Sequence, residues 1–340
     1  MINKSKLEKV FIIAEVGVNH NGKIQLAMEM IKLAKKAGAD CVKFQAFSVN
    51  RLVSKIAKSA KYQKVAVGTD LQWKVLENLQ LKKSDYKKLM RECSKQDIGF
   101  LCTAFDENWL EYLVKNGMQC IKIPSGEINN IPLLKKAASY NLDIILSTGM
   151  STLKEVNKAL DEIKSVNKNS VVSILHCTSL YPAPYNSLNL NVIKNFKKKF
   201  KNLIGYSDHS IGNLASIAAV SMGAKIIEKH FTLNKKLKGP DHKASANYKE
   251  LKSLIKDIRN LELALGSGKK FPDKRELNTA TVARKSWHSK KKILKNSKIN
   301  FSDIHLIRPG NGIPGNINII GRTTKVDIES GSMIKNEWLL

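Results

Sequence analysis

No stretch of this sequence reaches the run of about eighteen apolar residues that a membrane-spanning helix needs. Cysteine is scarce: Cys41, Cys93, Cys102, Cys120 and Cys177 are the whole complement. Their number is odd, none forms a C-x-x-C pair, and most lie in apolar runs, so neither a disulfide framework nor a structural zinc site is expected. The N-terminal MINKSKLEKV carries charge but no apolar stretch long enough for an export signal. The expectation is a reduced, cytoplasmic protein without a membrane segment. Acidic residues are in short supply, 29 against 58 lysines and arginines, for a formal charge of +29. The lysines are spread along the chain, and the clusters in NFKKKF (195–200) and SKKKIL (289–294) lack the interleaved aromatics that stack on bases. Nucleic acid is therefore not an expected partner, whereas a positive field favours an anionic small substrate.

Also missing are internal repeats and, over residues 1–266, any G-x-G-x-x-G, which removes the dinucleotide-binding form of an open doubly wound sheet. What remains is a regular alternation. Eight short, β-branched runs read as strands: 11–15, 41–45, 99–103, 120–124, 143–148, 172–177, 203–207 and 225–230. Helix-like segments follow most of them. One stops at Gly38, another at Gly117, and a third is expected to open with Ser151 as its N-cap, ahead of Glu155. Eight β-then-α units predict a (β/α)8 barrel over residues 1–266, a polar linker at 267–282, and a small turn-rich domain at 283–340.

A barrel of this kind places its chemistry at the C-terminal strand ends. Those ends carry Glu15, Lys43 with Gln45, Thr103, Lys122 followed by Ser125, Ser147, His176, Ser207 with His209, and Glu228 with His230. Lys43 and Lys122 interrupt otherwise apolar strands, and a buried ammonium needs an anion. With Thr103, Ser125, Ser147 and Ser207 they form the donor set a phosphate requires. His209 and His230, at the ends of neighbouring strands, suit a divalent metal that keeps open positions for water and substrate oxygens, manganese being the best match. Glu15 and Asp241 are carboxylates able to grip sugar hydroxyls or move protons, and Tyr181 offers a flat ring in a proline-stiffened loop. His20 is read as bracing its own loop, where Asn21 and Gly22 turn the chain into the first helix, and His288 and His305 as surface residues.

The ordered motifs AEVGVNHNG, VKFQ, KIPSGE, STGM, HCTSLYPAPY, GYSDHS, EKHFT, GPDHKAS and RPGNG resemble the sialic acid synthase family, the N-acetylneuraminate synthases and their legionaminate relatives. The resemblance implies a TIM barrel joined to a C-terminal antifreeze-like (SAF) domain, in a homodimer with that domain swapped. It implies condensation of phosphoenolpyruvate with N-acetylmannosamine and release of phosphate. A 2,4-diacetamido-2,4,6-trideoxymannose acceptor is the first alternative, and a non-catalytic anion-binding protein on the same fold is the other. A sugar-phosphate acceptor would want a further basic cluster, which the sequence does not supply. Matched motif by motif, Lys43, Thr103, Lys122, Ser125, Ser147, Ser179 and Ser207 are implied to hold phosphoenolpyruvate, with Ser179 standing where relatives carry Asn or Thr. Glu15, Gln45, Tyr181 and Asp241 are implied to meet the amino sugar, and Arg308 to reach it from the partner subunit. His209 and His230 are the implied ligands of manganese, with magnesium or cobalt as alternatives, and the catalytic set is Glu15, His209 and His230. Within the small domain, KKKILKNSKINFSDIHLI (290–307) departs from the family's more acidic, Gly-containing pattern.

Overall fold

The computed structural model describes residues 8–60, 64 and 68–340; the first seven residues, part of the stretch read for an export signal, lie outside it. Eight parallel strands close in chain order into one barrel: β1 (Phe11–Gly17), β2 (Cys41–Ala46), β3 (Gly99–Ala104), β4 (Cys120–Ile123), β5 (Asp143–Ser147), β6 (Val172–Cys177), β7 (Leu203–Asp208) and β8 (Ile226–His230). Each bound falls within one or two residues of the expected run. The connecting helices are α1 (Ile24–Ala37), then α2 (Val49–Leu52), α3 (Gln72–Glu77) and α4 (Lys83–Lys95) after β2. They continue with α5 (Glu107–Lys115), α6 (Ile131–Ser139), α7 (Leu153–Val166), α8 (Asn191–Lys199), α9 (Leu214–Ser221) and α10 (Tyr248–Leu265). Among the described residues no helix is long and apolar enough to cross a membrane.

The two-residue period of the strands sorts their side chains. Outward go Ile12, Ala14 and Val16 from β1 and Val42, Phe44 and Ala46 from β2, into one core shared with the helices. Inward go Ile13, Cys41, Leu101, Cys120, Ile145, Leu175 and Ile226, an apolar plug that fills the barrel below its mouth. All five cysteines are buried and no disulfide joins them. Burial pushes the Cys120 thiol up to about 12, so it stays protonated and inert.

Helix ends follow local chemistry. Gly38 and Gly117 take the left-handed backbone expected of stop signals, with φ of 96° and 100°. The cap of α7 differs from the expectation by one residue. Thr152, not Ser151, is the N-cap, because its hydroxyl accepts from the Glu155 N–H while the Glu155 carboxylate accepts from the Thr152 N–H, a reciprocal box that requires a spacing of three. Asn247 and Glu250 form the same box at the start of α10.

The chain divides into two compact units at Gly266/Ser267. In the second, the polar stretch read as a linker carries a short helix, α11 (Leu277–Ala283). Strands β9 (Ser286–Ser289) and β10 (Ile304–Ile307) pair antiparallel around a core of Trp287, Ile293, Ile299, Ile304, Ile313, Ile319, Ile328, Ile334 and Leu339. Here the structure corrects the reading of the histidines. His288 is buried and lies directly across from the half-buried His305, the rings 6.5 Å apart, on the face of the ribbon opposite Trp287 and Leu306.

Gly205 marks where the barrel plug is tightest. A methyl group there would stand 2.4 Å from Leu175 Cδ2 and 2.7 Å from both the Cβ and the carbonyl oxygen of Ile226. Overpacking of this kind costs about 1–3 kcal/mol. Gly205→Ala is expected to lower the melting temperature by several degrees in a thermal scan; an unchanged midpoint would show that the plug can yield.

Candidate active site at the mouth of the barrel

Strand register assembles the site above the apolar plug. Glu15 pairs with Lys43 on one side and with His230 on the other, Thr103 stands beside Lys122, and Ser207 stands beside Glu228. These inward-facing side chains form the floor of a cavity of about 400 Å³. Lys43 Nζ lies 2.8 Å from Glu15 Oε2 and 3.7 Å from Glu228 Oε2, and Lys122 Nζ lies 3.9 Å from the same Glu228 oxygen. Both lysines are almost fully buried, at 3% and 2% exposure. Ser147 Oγ accepts from Lys122 at 2.6 Å, Thr103 Oγ1 accepts from Lys43 at 3.3 Å, and Ser207 donates to Glu228 Oε1 at 2.9 Å.

The four charges do not titrate alike. Burial raises the pKa of Glu15; the Lys43 ammonium opposes this and the Glu228 charge adds to it. Burial pushes Glu228 upward too, but the Lys122 and Lys43 ammonium groups outweigh it and hold its carboxyl below the ordinary value. Glu228 is thus the fixed anion of the network and Glu15 the carboxyl better able to carry a proton. Gln45 donates to Glu15 Oε1 at 3.0 Å and fixes its orientation.

Beside the lysines, Ser125 sits in the turn after β4 and accepts from the Gly149 N–H at 2.9 Å. Gly149 has to be glycine here: a Cβ would lie 2.3 Å from Ser179 Oγ and 2.8 Å from Ser125 Oγ. Its absence lets two hydroxyls from different loops converge over Ser147. Across the mouth, the rings of His209 and His230 are 5.3 Å apart, and Tyr181 lies 4.1 Å from His209 and 5.6 Å from His230. The Thr178 carbonyl binds His209 Nδ1 at 2.8 Å, which directs the free lone pair to Nε2. Burial holds the pKa of His230 far below the ordinary imidazole value, and its Nδ1 has no hydrogen-bond partner among the described residues. Asp241 Oδ2 is 3.9 Å from that nitrogen, and burial, reinforced by the Glu15 charge, pushes the Asp241 carboxyl up to about 6.

Burial lowers the pKa of His209, but the charge and hydrogen bond of Cys177 outweigh it and raise it above the ordinary imidazole value. The two imidazoles fit the protein share of an open divalent-metal site. Among the described residues no group of three or more His, Cys, Asp or Glu side chains is arranged to hold an ion, so water and substrate oxygens would complete the shell. The rings are held from outside the barrel. Asp208 and Lys229, the neighbours of His209 and His230, face outward and pair at 2.8 Å, with Ser210 and Ser216 donating to Asp208.

A family model described as NeuB matches residues 30–270. The chain belongs to the NeuB family. It is 43% identical to the N,N'-diacetyllegionaminic acid synthase of Legionella pneumophila over 95% of this chain and 93% of that protein. It is 44% identical to the enzyme of the same name from Campylobacter jejuni over 90% of this chain and 92% of that one. A crystal structure of N-acetylneuraminic acid synthetase from Leptospira borgpetersenii superposes with a TM-score of 0.72 at 36% identity, covering 80% of this chain and 90% of that one. The NeuB protein is thus an enzyme, a phosphoenolpyruvate-dependent nonulosonic acid synthase of the sialic acid synthase family its motifs resemble.

Of the residues singled out by sequence, Glu15, Lys43, Gln45, Thr103, Lys122, Ser125, Ser147, Ser179, Tyr181, Ser207, His209 and His230 all line the one cavity. Asp241 borders it through His230, and Arg308 belongs to the second unit, where its Nε donates to the Ala283 carbonyl. His176, counted among the polar strand ends, instead faces outward, bonding the Leu188 carbonyl and packing on Phe196 and Tyr206. Glu228, which the sequence offers only as a strand-end partner of His230 two residues on, turns out to bridge both lysines of the floor. Gln72 at the start of α3, with Phe105 and Met150 from loops that carry no periodic signal, completes the wall.

His20 accepts from the Gly22 N–H at 3.0 Å, bracing the β1–α1 turn, and burial lowers its pKa from 6.5 to about 4. The unfolded chain therefore binds the extra proton between those values, so this contribution to stability is complete above pH 6.5 and disappears as pH falls through about 4. The loss at the acid limit amounts to about 3 kcal/mol. Denaturant titrations should show wild-type stability falling across this window and a shallower slope in His20→Asn; parallel slopes would contradict the assignment.

Proposed function

We propose that this NeuB enzyme condenses phosphoenolpyruvate with an N-acylated mannosamine-type sugar, N-acetylmannosamine in the first reading, and releases phosphate. The convergence of two buried lysines and two buried histidines on one cavity carries the reading. A diacetamido-trideoxymannose acceptor is the second reading, favoured by the two legionaminic acid synthases at 43% and 44% identity.

Lys122 and Lys43 attract the phosphate and carboxylate of phosphoenolpyruvate. Ser125, Ser147, Ser179, Ser207 and Thr103 supply directional hydroxyls that fix its plane. Held so, the enol C3 faces the aldehyde carbon of the open-chain sugar and the carbon–carbon bond forms between them. Water adds at the cationic C2, and the resulting phosphate hemiketal breaks its C–O bond, leaving as phosphate. Glu15, with its raised pKa and its orientation set by Gln45, is placed to exchange a proton with the sugar oxygen or the attacking water. Asp241 and Tyr181 bind the sugar chain. His209 and His230 would hold the divalent cation, manganese in preference to magnesium or cobalt, which when bound polarises the aldehyde oxygen.

Around the mouth, Met150, Leu180, Tyr185, Ile211 and Leu214 leave large apolar side chains exposed on the loops after β5, β6 and β7. This rim supports a homodimer in which the antifreeze-like domain of a second copy covers the cavity and brings Arg308 of the partner subunit to the N-acyl group.

Phosphate release from phosphoenolpyruvate, dependent on an added N-acylated sugar, tests the reaction. Chelator-treated protein should lose activity and manganese should restore it, while His209→Ala should fall by at least about 100-fold. Full turnover in chelator, or in His209→Ala, would reject the metal assignment. Phosphate release that ignores the sugar would reject the condensation.

A further inference from the structure

The cavity has two storeys. Strand residues make most of the floor where the reaction is placed, whereas Ala60, Phe105, Pro124 and Met150 from the connecting loops and Gln72 at the start of α3 form the wall above it. Phosphoenolpyruvate has three carbons and fits among the floor residues. The acceptor is longer, and the end remote from its aldehyde has to rise into the loop storey.

Gln72 is the one amide side chain there among the described residues. Among the described residues no protein group satisfies its carboxamide, although the residue itself is firmly placed. Its backbone N–H donates to the Ala57 carbonyl at 3.0 Å, next to a short antiparallel ribbon in which Lys58 bridges Leu71 and the Ser59 N–H donates to Asp70. Behind it, Trp73, Val75, Leu76 and Leu79 pack with Val18, Phe47, Val49 and Phe105, and Trp73 Nε1 donates to Asn50 at 3.1 Å. A carboxamide offers a donor and an acceptor side by side, the complement of an acylamino group's C=O and N–H.

We propose that Gln72 is a specificity-determining residue that reads a second acylamino group, remote from the aldehyde, and that the acceptor is the diacetamido sugar. This rests on the condensation proposed above; a monoacetamido mannose carries a hydroxyl where the diacetamido sugar carries its second acylamino group. A site built to pair with an amide discriminates against an acceptor that leaves the pair unmade.

The test measures phosphate release by the full-length, manganese-loaded protein with each acceptor in turn. Wild type should prefer the diacetamido sugar by about tenfold or more in kcat/KM. In Gln72→Leu that value should fall about tenfold, mainly through KM, while N-acetylmannosamine stays within about twofold and the KM for phosphoenolpyruvate does not move. Gln72→Asn, which keeps the amide on a shorter arm, should lie between the two. Equal changes on both acceptors, no change on either, or a wild type that prefers N-acetylmannosamine would overturn the inference and leave the condensation standing. Phosphate release with neither sugar would defeat the condensation itself and this inference with it.

Discussion

Two ammonium groups and two carboxyl groups, buried together above the apolar plug at the mouth of the barrel, set the terms for the rest of the molecule. Lys43, Lys122, Glu15 and Glu228 are each nearly inaccessible to water, and removing such charges from solvent is costly unless their partners are held in place. Lys43 is matched by Glu15 at 2.8 Å, but Lys122 is only partly compensated by the carboxyls. Lys122 meets Glu228 at 3.9 Å, longer than a charge-assisted hydrogen bond, and burial followed by the nearby Lys43 charge lowers its pKa. Such a floor gains from an incoming anion, which makes substrate binding and electrostatic relief the same event.

Holding those groups in place falls to the strand register and to the outward faces. Each strand presents its charge to the lumen and its aliphatic residues to the helices, so one slip of register would reverse both. At β7 and β8 even the outward face is ionic. Asp208 and Lys229 pair under α9, with Ser210, Ser216 and the Ser210 carbonyl completing the shell. That pair ties together the two strand ends from which the histidines project, so the separation of the rings is set by a structure that does not touch substrate.

Much of this was legible because the barrel repeats one simple pattern. β-branched runs and glycine stops mark its strands and helices, and a polar residue at an apolar strand's end has few other uses in such a fold. The resemblance to the sialic acid synthase family then ordered those residues into roles. What was not legible depends on geometry that no local pattern encodes. Glu228 matters because two lysines from other strands point at it, and Gln72 matters because a long, aperiodic connection folds back over the mouth. Thr152 displaced Ser151 as a cap through a spacing of one residue, and His288 is buried only because β10 lies across it.

Titration calorimetry of phosphoenolpyruvate into wild type, Lys122→Met and Glu228→Gln addresses the buried floor directly. If the lysines are poised for an anion, Lys122→Met weakens binding by about 10- to 100-fold, the range for a hydrogen bond to a charged group. Glu228→Gln, which removes the competing carboxylate, should bind at least as tightly as wild type. Equal weakening in both variants, or none in Lys122→Met, would mean that the four charges serve only one another.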